Sequence, residues 1–168
     1  MDVANVMGSR PDGWWRDRAG AAVRLHGEIA RLAASGRLVL PAAAEPAGDV
    51  EFVLVLEGAA KAATARIRAA EATEAAPATP AAHDAEAAPA TPGGHDGEAA
   101  HGAEAATAGR IRVVEAPRSG DDTIVALVRE LNPRGVVVVT ADRELGDRCR
   151  AAGATVLGPG WLLRLLGP

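Results

Sequence analysis

Short runs of Val, Ile and Leu alternate along the chain with longer stretches of helical periodicity, and that alternation predicts an α/β fold. The runs at about 2–6, 50–57, 110–115, 135–140 and 154–157 read as strands, and their near-continuous apolar character is that of strands buried on both faces of a mainly parallel sheet. Helices are predicted over about 16–35, 59–71, 120–131, 142–152 and 159–166. The stop signals agree: Gly36 ends the first helix, Asn132-Pro133 the third and Gly153 the fourth. The first strand is anomalous, because only Met1 precedes Asp2 where a central strand ordinarily enters with several apolar residues. Either that strand is short or the native chain begins further upstream.

The middle of the chain breaks the pattern. From Glu74 to Ala85 and again from Glu86 to Gly97 runs a near repeat of period 12, and between Thr73 and Gly109 there is no Leu, Ile, Val, Phe, Met or Trp. A stacking repeat needs bulky apolar residues to bury, so about 72–109 reads as a disordered Pro/Ala-rich insert within one domain spanning 1–168. His83, His95 and His101 recur in it and read as solvated linker residues rather than a metal tract.

Composition narrows the function classes. A net charge of -4 over 168 residues argues against a basic protein that coats nucleic acid indiscriminately, but permits a local arginine patch. Cys149 is the single cysteine, which excludes an intramolecular disulfide and a cysteine-rich zinc site; it reads as a small buried apolar residue in a reducing compartment. No apolar run approaches the roughly 18 residues of a membrane span, and Asp2 stands where a leader would be basic. A cytoplasmic protein with no membrane partner is expected.

The candidate chemistry lies in acids that open or close the apolar runs: Asp2, Glu57, Asp121, Asp122 and Asp142. In an open parallel sheet ligands bind outside the carboxyl ends of the strands, so acids at several strand ends meet. Gathered carboxylates repel one another unless a cation stands between them, and a hard ion such as Mg²⁺ or Mn²⁺ suits oxygen ligands. Each acid also has an ordinary use. Glu57 before Gly58 is a plausible exposed turn residue, Ser119 with Asp122 resembles a capping box, and Asp142 is placed to cap the helix that follows. Of the two adjacent acids at 121 and 122, Asp121 is expected to face inward. Asn5 and Thr140 stand beside these acids, able to orient water or a phosphate oxygen. Glu144 and Arg148 read as a surface pair at i, i+4. Arg10, Arg16, Arg18, Arg118 and Arg143 flank the acids and suit phosphate; Trp14 is a candidate for stacking on a base, while Trp15 reads as an anchor in the core. No G-x-G-x-x-G or G-K-[ST] follows a strand, which disfavours a nucleotide cofactor held that way.

The ordered set Asp2-Val-Ala-Asn5-Val, Leu-Glu57-Gly, Ser-Gly-Asp121-Asp122-Thr-Ile and Val-Thr140-Ala-Asp142-Arg-Glu-Leu resembles the NYN-type branch of PIN-domain-like nucleases, closest to the YacP-like group. The resemblance spans nearly the whole chain outside the insert. It implies a three-layer α/β/α sandwich around about five strands, and a Mg²⁺- or Mn²⁺-dependent ribonuclease acting on RNA phosphodiesters. Carried over position by position, Asp2, Glu57, Asp121, Asp122 and Asp142 would be the metal ligands, and Asp2, Asn5, Asp121 and Asp142 the catalytic set. Arg10, Trp14, Arg16, Thr140 and Arg143 would meet substrate, and a homodimer stays open. The chain departs from the family in its curtailed first strand, in the longer Glu57 where Asp is usual, and in the insert. A non-catalytic RNA-binding or assembly module of the same fold is the alternative. A receiver-like signalling domain is disfavoured, since it would want a lysine at the end of the fifth strand and Lys61 is far from it.

Overall fold

The computed structural model describes residues 1–41, 50–74, 110–132 and 135–167. Strands β1 (Glu51–Leu56) and β2 (Arg110–Glu115) pair in parallel from Glu51 opposite Arg110 to Leu56 opposite Glu115. A second parallel pair joins β3 (Val137–Val139) to β4 (Thr155–Leu157). The expected five-strand sheet is therefore replaced by two parallel pairs, and among the described residues Met1 and Asp2 stand between them. The carbonyl of Met1 accepts from Val55 N–H at 3.1 Å and Asp2 N–H donates to Val139 C=O at 3.2 Å, with a single parallel bridge from Asp2 to Val55. The order across the molecule is β2, β1, Met1–Asp2, β3, β4.

The predicted strand over 2–6 is corrected to a helix, α1 (Val3–Gly8). Asp2 is its N-cap, its carboxylate accepting from Asn5 N–H at 3.1 Å, and Val3, Val6 and Met7 are buried at helical spacing. A strand would send Val3 and Val6 to opposite faces. The helix instead sets them on one face with Met7, where all three join the same core.

The other elements fall close to expectation. Asp17 caps α2 (Arg18–Ala34), a turn of 3-10 helix spans Gly58–Ala62, and α3 (Ala63–Glu74) follows it. The helix α3 thus takes up 72–74 of the expected insert; residues 75–109, with His83, His95 and His101, lie outside the described residues. Helix α4 (Gly120–Leu131) ends at Asn132, α5 (Arg143–Ala151) is followed by Gly153 at φ +95°, and α6 (Pro159–Leu166) carries its proline at the tolerant first turn.

Burial assigns these helices to two faces. Leu54, Leu56 and Val139 pack with α1, α2, α3 and Leu162 of α6. Val55 and Val138 point the other way, against Ile124, Val125 and Val128 of α4 and Leu145 and Cys149 of α5. Period-two alternation in β1 and β3 produces this division, and it explains why the strands read as unbroken apolar runs. Cys149 is fully buried, as expected of a small apolar residue, and burial pushes its thiol pKa up. Trp15, expected to anchor the core, is instead 57 % exposed, and the partly buried Trp14 packs against the first core. Among the described residues no helix is long and apolar enough to cross a membrane.

Candidate functional site

From Met1–Asp2 the chain builds β1 and then β2 on one side, and crosses to build β3 and β4 on the other. The carboxyl ends of Met1–Asp2 and β3 therefore flank a topological switch point, the place where α/β folds leave a crevice for a ligand. Asp2 lies there, 6 % exposed. One of its oxygens accepts from Asn5 N–H, and the other accepts from the Asn5 side-chain amide at 2.5 Å and from the Thr140 hydroxyl at 3.0 Å. Thr140 is buried at the end of β3, and its hydroxyl oxygen accepts from Asp142 N–H at 3.1 Å. Asp142 in turn caps α5, accepting from Leu145 N–H at 2.9 Å. A continuous relay thus links the Asp142 backbone, the Thr140 hydroxyl and the Asp2 carboxylate, fixing two acids that are far apart in sequence.

The other acids come from β1 and α4. Glu57 follows the last residue of β1 and reaches the first turn of α4, where its carboxylate accepts from Gly120 N–H at 2.9 Å. A Cβ at position 120 would lie 2.6 Å from that oxygen, so glycine is what admits the contact. Asp121 is half-buried beside them. Burial pushes its carboxyl pKa above the usual range, and the negative charges of Asp142, Asp2 and Glu57 push it further; Arg148 partly offsets them. Asp122 is exposed and turns away to Arg148, 2.5 Å distant, while Ser119 caps the helix by accepting from Asp122 N–H at 3.2 Å. Arg148 is therefore the partner of Asp122 and not of Glu144, which corrects the expected surface pair.

Of the five acids, Asp2, Glu57 and Asp142 lie near enough to act on the charge of Asp121, and Asp122 is held by a cation. Among the described residues, no three acids, histidines or cysteines are gathered closely enough to hold a metal ion as they stand, because Glu57 and Asp142 are turned to helix N-termini.

Of the expected substrate contacts, Thr140 belongs to the relay. Arg143 lines a hollow of about 480 Å³ together with Thr140, Asp142, Asp147 and Arg150, the last a residue with no signal in the sequence. Arg10 is committed elsewhere, gripping both oxygens of Glu28 at 3.1 and 2.6 Å. Arg16 is exposed, and Trp14 sits in a T-shaped contact with Trp15 at 6.3 Å and beneath the Arg18 guanidinium at 5.2 Å. Gly120 was missed because its value lies in a contact 63 residues away in sequence.

The raised carboxyl pKa of Asp121 carries a stability consequence of definite sign. A carboxyl whose pKa is higher in the folded than in the unfolded chain favours folding fully below the unfolded value of 3.8, and that contribution is lost as pH rises through the folded value. Asp121→Asn is therefore expected to raise the melting temperature of the metal-free protein at pH 7. The gain should shrink towards zero at about pH 3, where Asp121 is protonated in both states. Thermal melts of both proteins across pH check this, and a lower melting temperature for the variant at pH 7 would contradict it.

No protein-family model, curated protein or solved structure matches this chain.

Proposed function

We propose that the chain is a divalent-metal-dependent ribonuclease that hydrolyses RNA phosphodiester bonds at the switch-point carboxylates, as its resemblance to NYN-type nucleases implies. The observation that carries the proposal is the convergence of the negative charges of Asp142, Asp2 and Glu57 on Asp121, with Arg148 as the opposing charge there. Clustered oxygen donors carrying excess negative charge fit a hard cation such as Mg²⁺ or Mn²⁺ in chemistry and in charge. Asp2, Asp121 and Asp142 would hold it, drawing closer together than they stand, with Asp142 presenting the oxygen that does not cap α5. Glu57 would join by leaving Gly120 N–H, and Asp122 only by releasing Arg148.

When bound, the ion would supply a water of lowered pKa and neutralise charge growing on the phosphate. The chain's own residues do the positioning. Thr140 and Asn5 donate to one Asp2 oxygen and fix its orientation, and so they act through Asp2 rather than on the substrate. Arg143 lines the hollow beside Asp142, where a guanidinium suits a phosphate, while Arg150 in the same lining is paired with Asp147 at 2.8 Å. A reducing cytoplasm, in which Cys149 stays free, suits the proposal.

The helix-capping bonds of Glu57 and Asp142 favour a second reading, a non-catalytic RNA-binding module in which these acids serve structure alone. Incubating labelled single-stranded RNA with the purified protein separates the two. Cleavage in Mn²⁺ that EDTA abolishes is expected; RNA retention without turnover in either condition would leave the binding module.

A further inference from the structure

We infer that the gap between β1 and β3 is a slot for one more parallel strand, an extended apolar segment joined directly to the amino end of Met1. In a parallel ladder alternate residues turn their N–H and C=O to the same edge. Leu56 of β1 faces β2, accepting from Ala116 N–H at 2.8 Å, so Glu51, Val53 and Val55 face the opposite way. Met1 meets two of these, its ammonium donating to Val53 C=O at 2.7 Å and its carbonyl accepting from Val55 N–H at 3.1 Å. In β3, Val136 and Thr140 bond towards β4, which turns Val137 and Val139 inward, where Asp2 N–H reaches Val139 C=O.

Beyond Met1 the two edges continue with none of the described residues between them. Among the described residues, the N–H groups of Val53, Val137 and Val139 and the carbonyls of Glu51 and Val137 that face this gap have no backbone partner. A cavity of about 200 Å³ fills the space, bounded by Val53 and Val137 at the sides, by Leu127 and Leu131 of α4 on one face, and by Leu38 and Trp161 on the other. Neighbouring strands stand about 4.8 Å apart, so two edges that both bond to Met1–Asp2 leave one strand's width.

The bonds already made set the register. A residue placed just before Met1 donates to Val137 C=O and accepts from Val139 N–H, and the residue before that donates to Glu51 C=O and accepts from Val53 N–H. The next accepts from Val137 N–H. Helices cover both faces, so apolar side chains are required on both.

Covalent attachment follows from polarity. A parallel occupant runs its carboxyl end onto the Met1 ammonium, which sits between the two edges and donates to Val53 C=O at 2.7 Å. A peptide bond removes that charge, whereas a separate peptide would bury a second one beside it.

The test fuses Ile-Val-Val-Val directly before Met1 and compares it with a Ser-Gly-Ser-Gly fusion and with the parent protein given the free apolar peptide. The apolar fusion is expected to raise the melting temperature by about 5 °C or more and to slow amide exchange at Val53, Val137 and Val139. The Ser-Gly fusion should do neither. No rise and no protection with the apolar fusion would overturn the inference. So would an equal rise from the Ser-Gly fusion, which would trace the effect to loss of the ammonium, or equal protection by the free peptide, which would assign the slot to a separate chain.

Discussion

Asp142→Asn is expected to lower metal-dependent RNA cleavage by roughly a hundredfold or more while leaving the melting temperature within a few degrees of the parent. The variant separates two roles of one side chain. As N-cap of α5, Asp142 needs only an acceptor oxygen for Leu145 N–H, and asparagine supplies one at the same position. As a member of the acidic cluster it contributes charge, which asparagine lacks. Turnover measured in Mn²⁺ beside a thermal melt checks both halves. Unchanged turnover would remove Asp142 from the site, and a collapse of the melt would make its role structural.

Asp2→Asn is expected to behave differently, costing about 2 kcal/mol of stability and roughly 4 to 8 °C in melting temperature as well as activity. Asp2 is buried and both its oxygens accept, one from Asn5 N–H and the other from the Asn5 amide and the Thr140 hydroxyl. Asparagine has one acceptor oxygen, so either orientation of its amide points an N–H at a donor. Thr140 cannot relieve the conflict by turning without disturbing the bond it accepts from Asp142 N–H. With Asp2 buried, the unmade bonds cost much of their desolvation. Urea unfolding of the metal-free variant reads this directly; stability equal to that of the parent would show that the relay is dispensable.

Much of the fold was legible because several segments carry concordant local signals. Arg110–Glu115 and Gly120–Leu131 fall at the expected boundaries: a short β-branched run leads to a serine cap, and an amphipathic helix then stops at Asn132-Pro133. Residues 2–6 misled because Asp2-Val-Ala-Asn-Val supports both an apolar strand and a capped helix. The helical signal was present in Val3, Val6 and Met7, and tertiary packing decided in its favour. The acids' presence at strand ends was equally readable, but their orientation was not. Whether Asp122 faces the cluster depends on Arg148, a helix away, and whether Arg10 is free depends on Glu28, a residue 18 positions on. Adjacent Trp14 and Trp15 sit where no periodicity tells one from the other, and only the packed structure shows which leans on the core.

The central claim is that Asp2, Glu57, Asp121 and Asp142 form one charge-loaded group that a divalent cation relieves. A cation that binds the folded chain at this point stabilises it in proportion to its occupancy, whereas general screening does not supply oxygen-coordinated charge. The direct measurement is the melting temperature of metal-free protein titrated with Mn²⁺, beside NaCl at matched ionic strength and the Asp121→Asn and Asp142→Asn double variant. A rise that saturates with Mn²⁺, is absent in NaCl and is largely lost in the double variant is the predicted result. A melting temperature indifferent to millimolar Mn²⁺ and Mg²⁺ would contradict it.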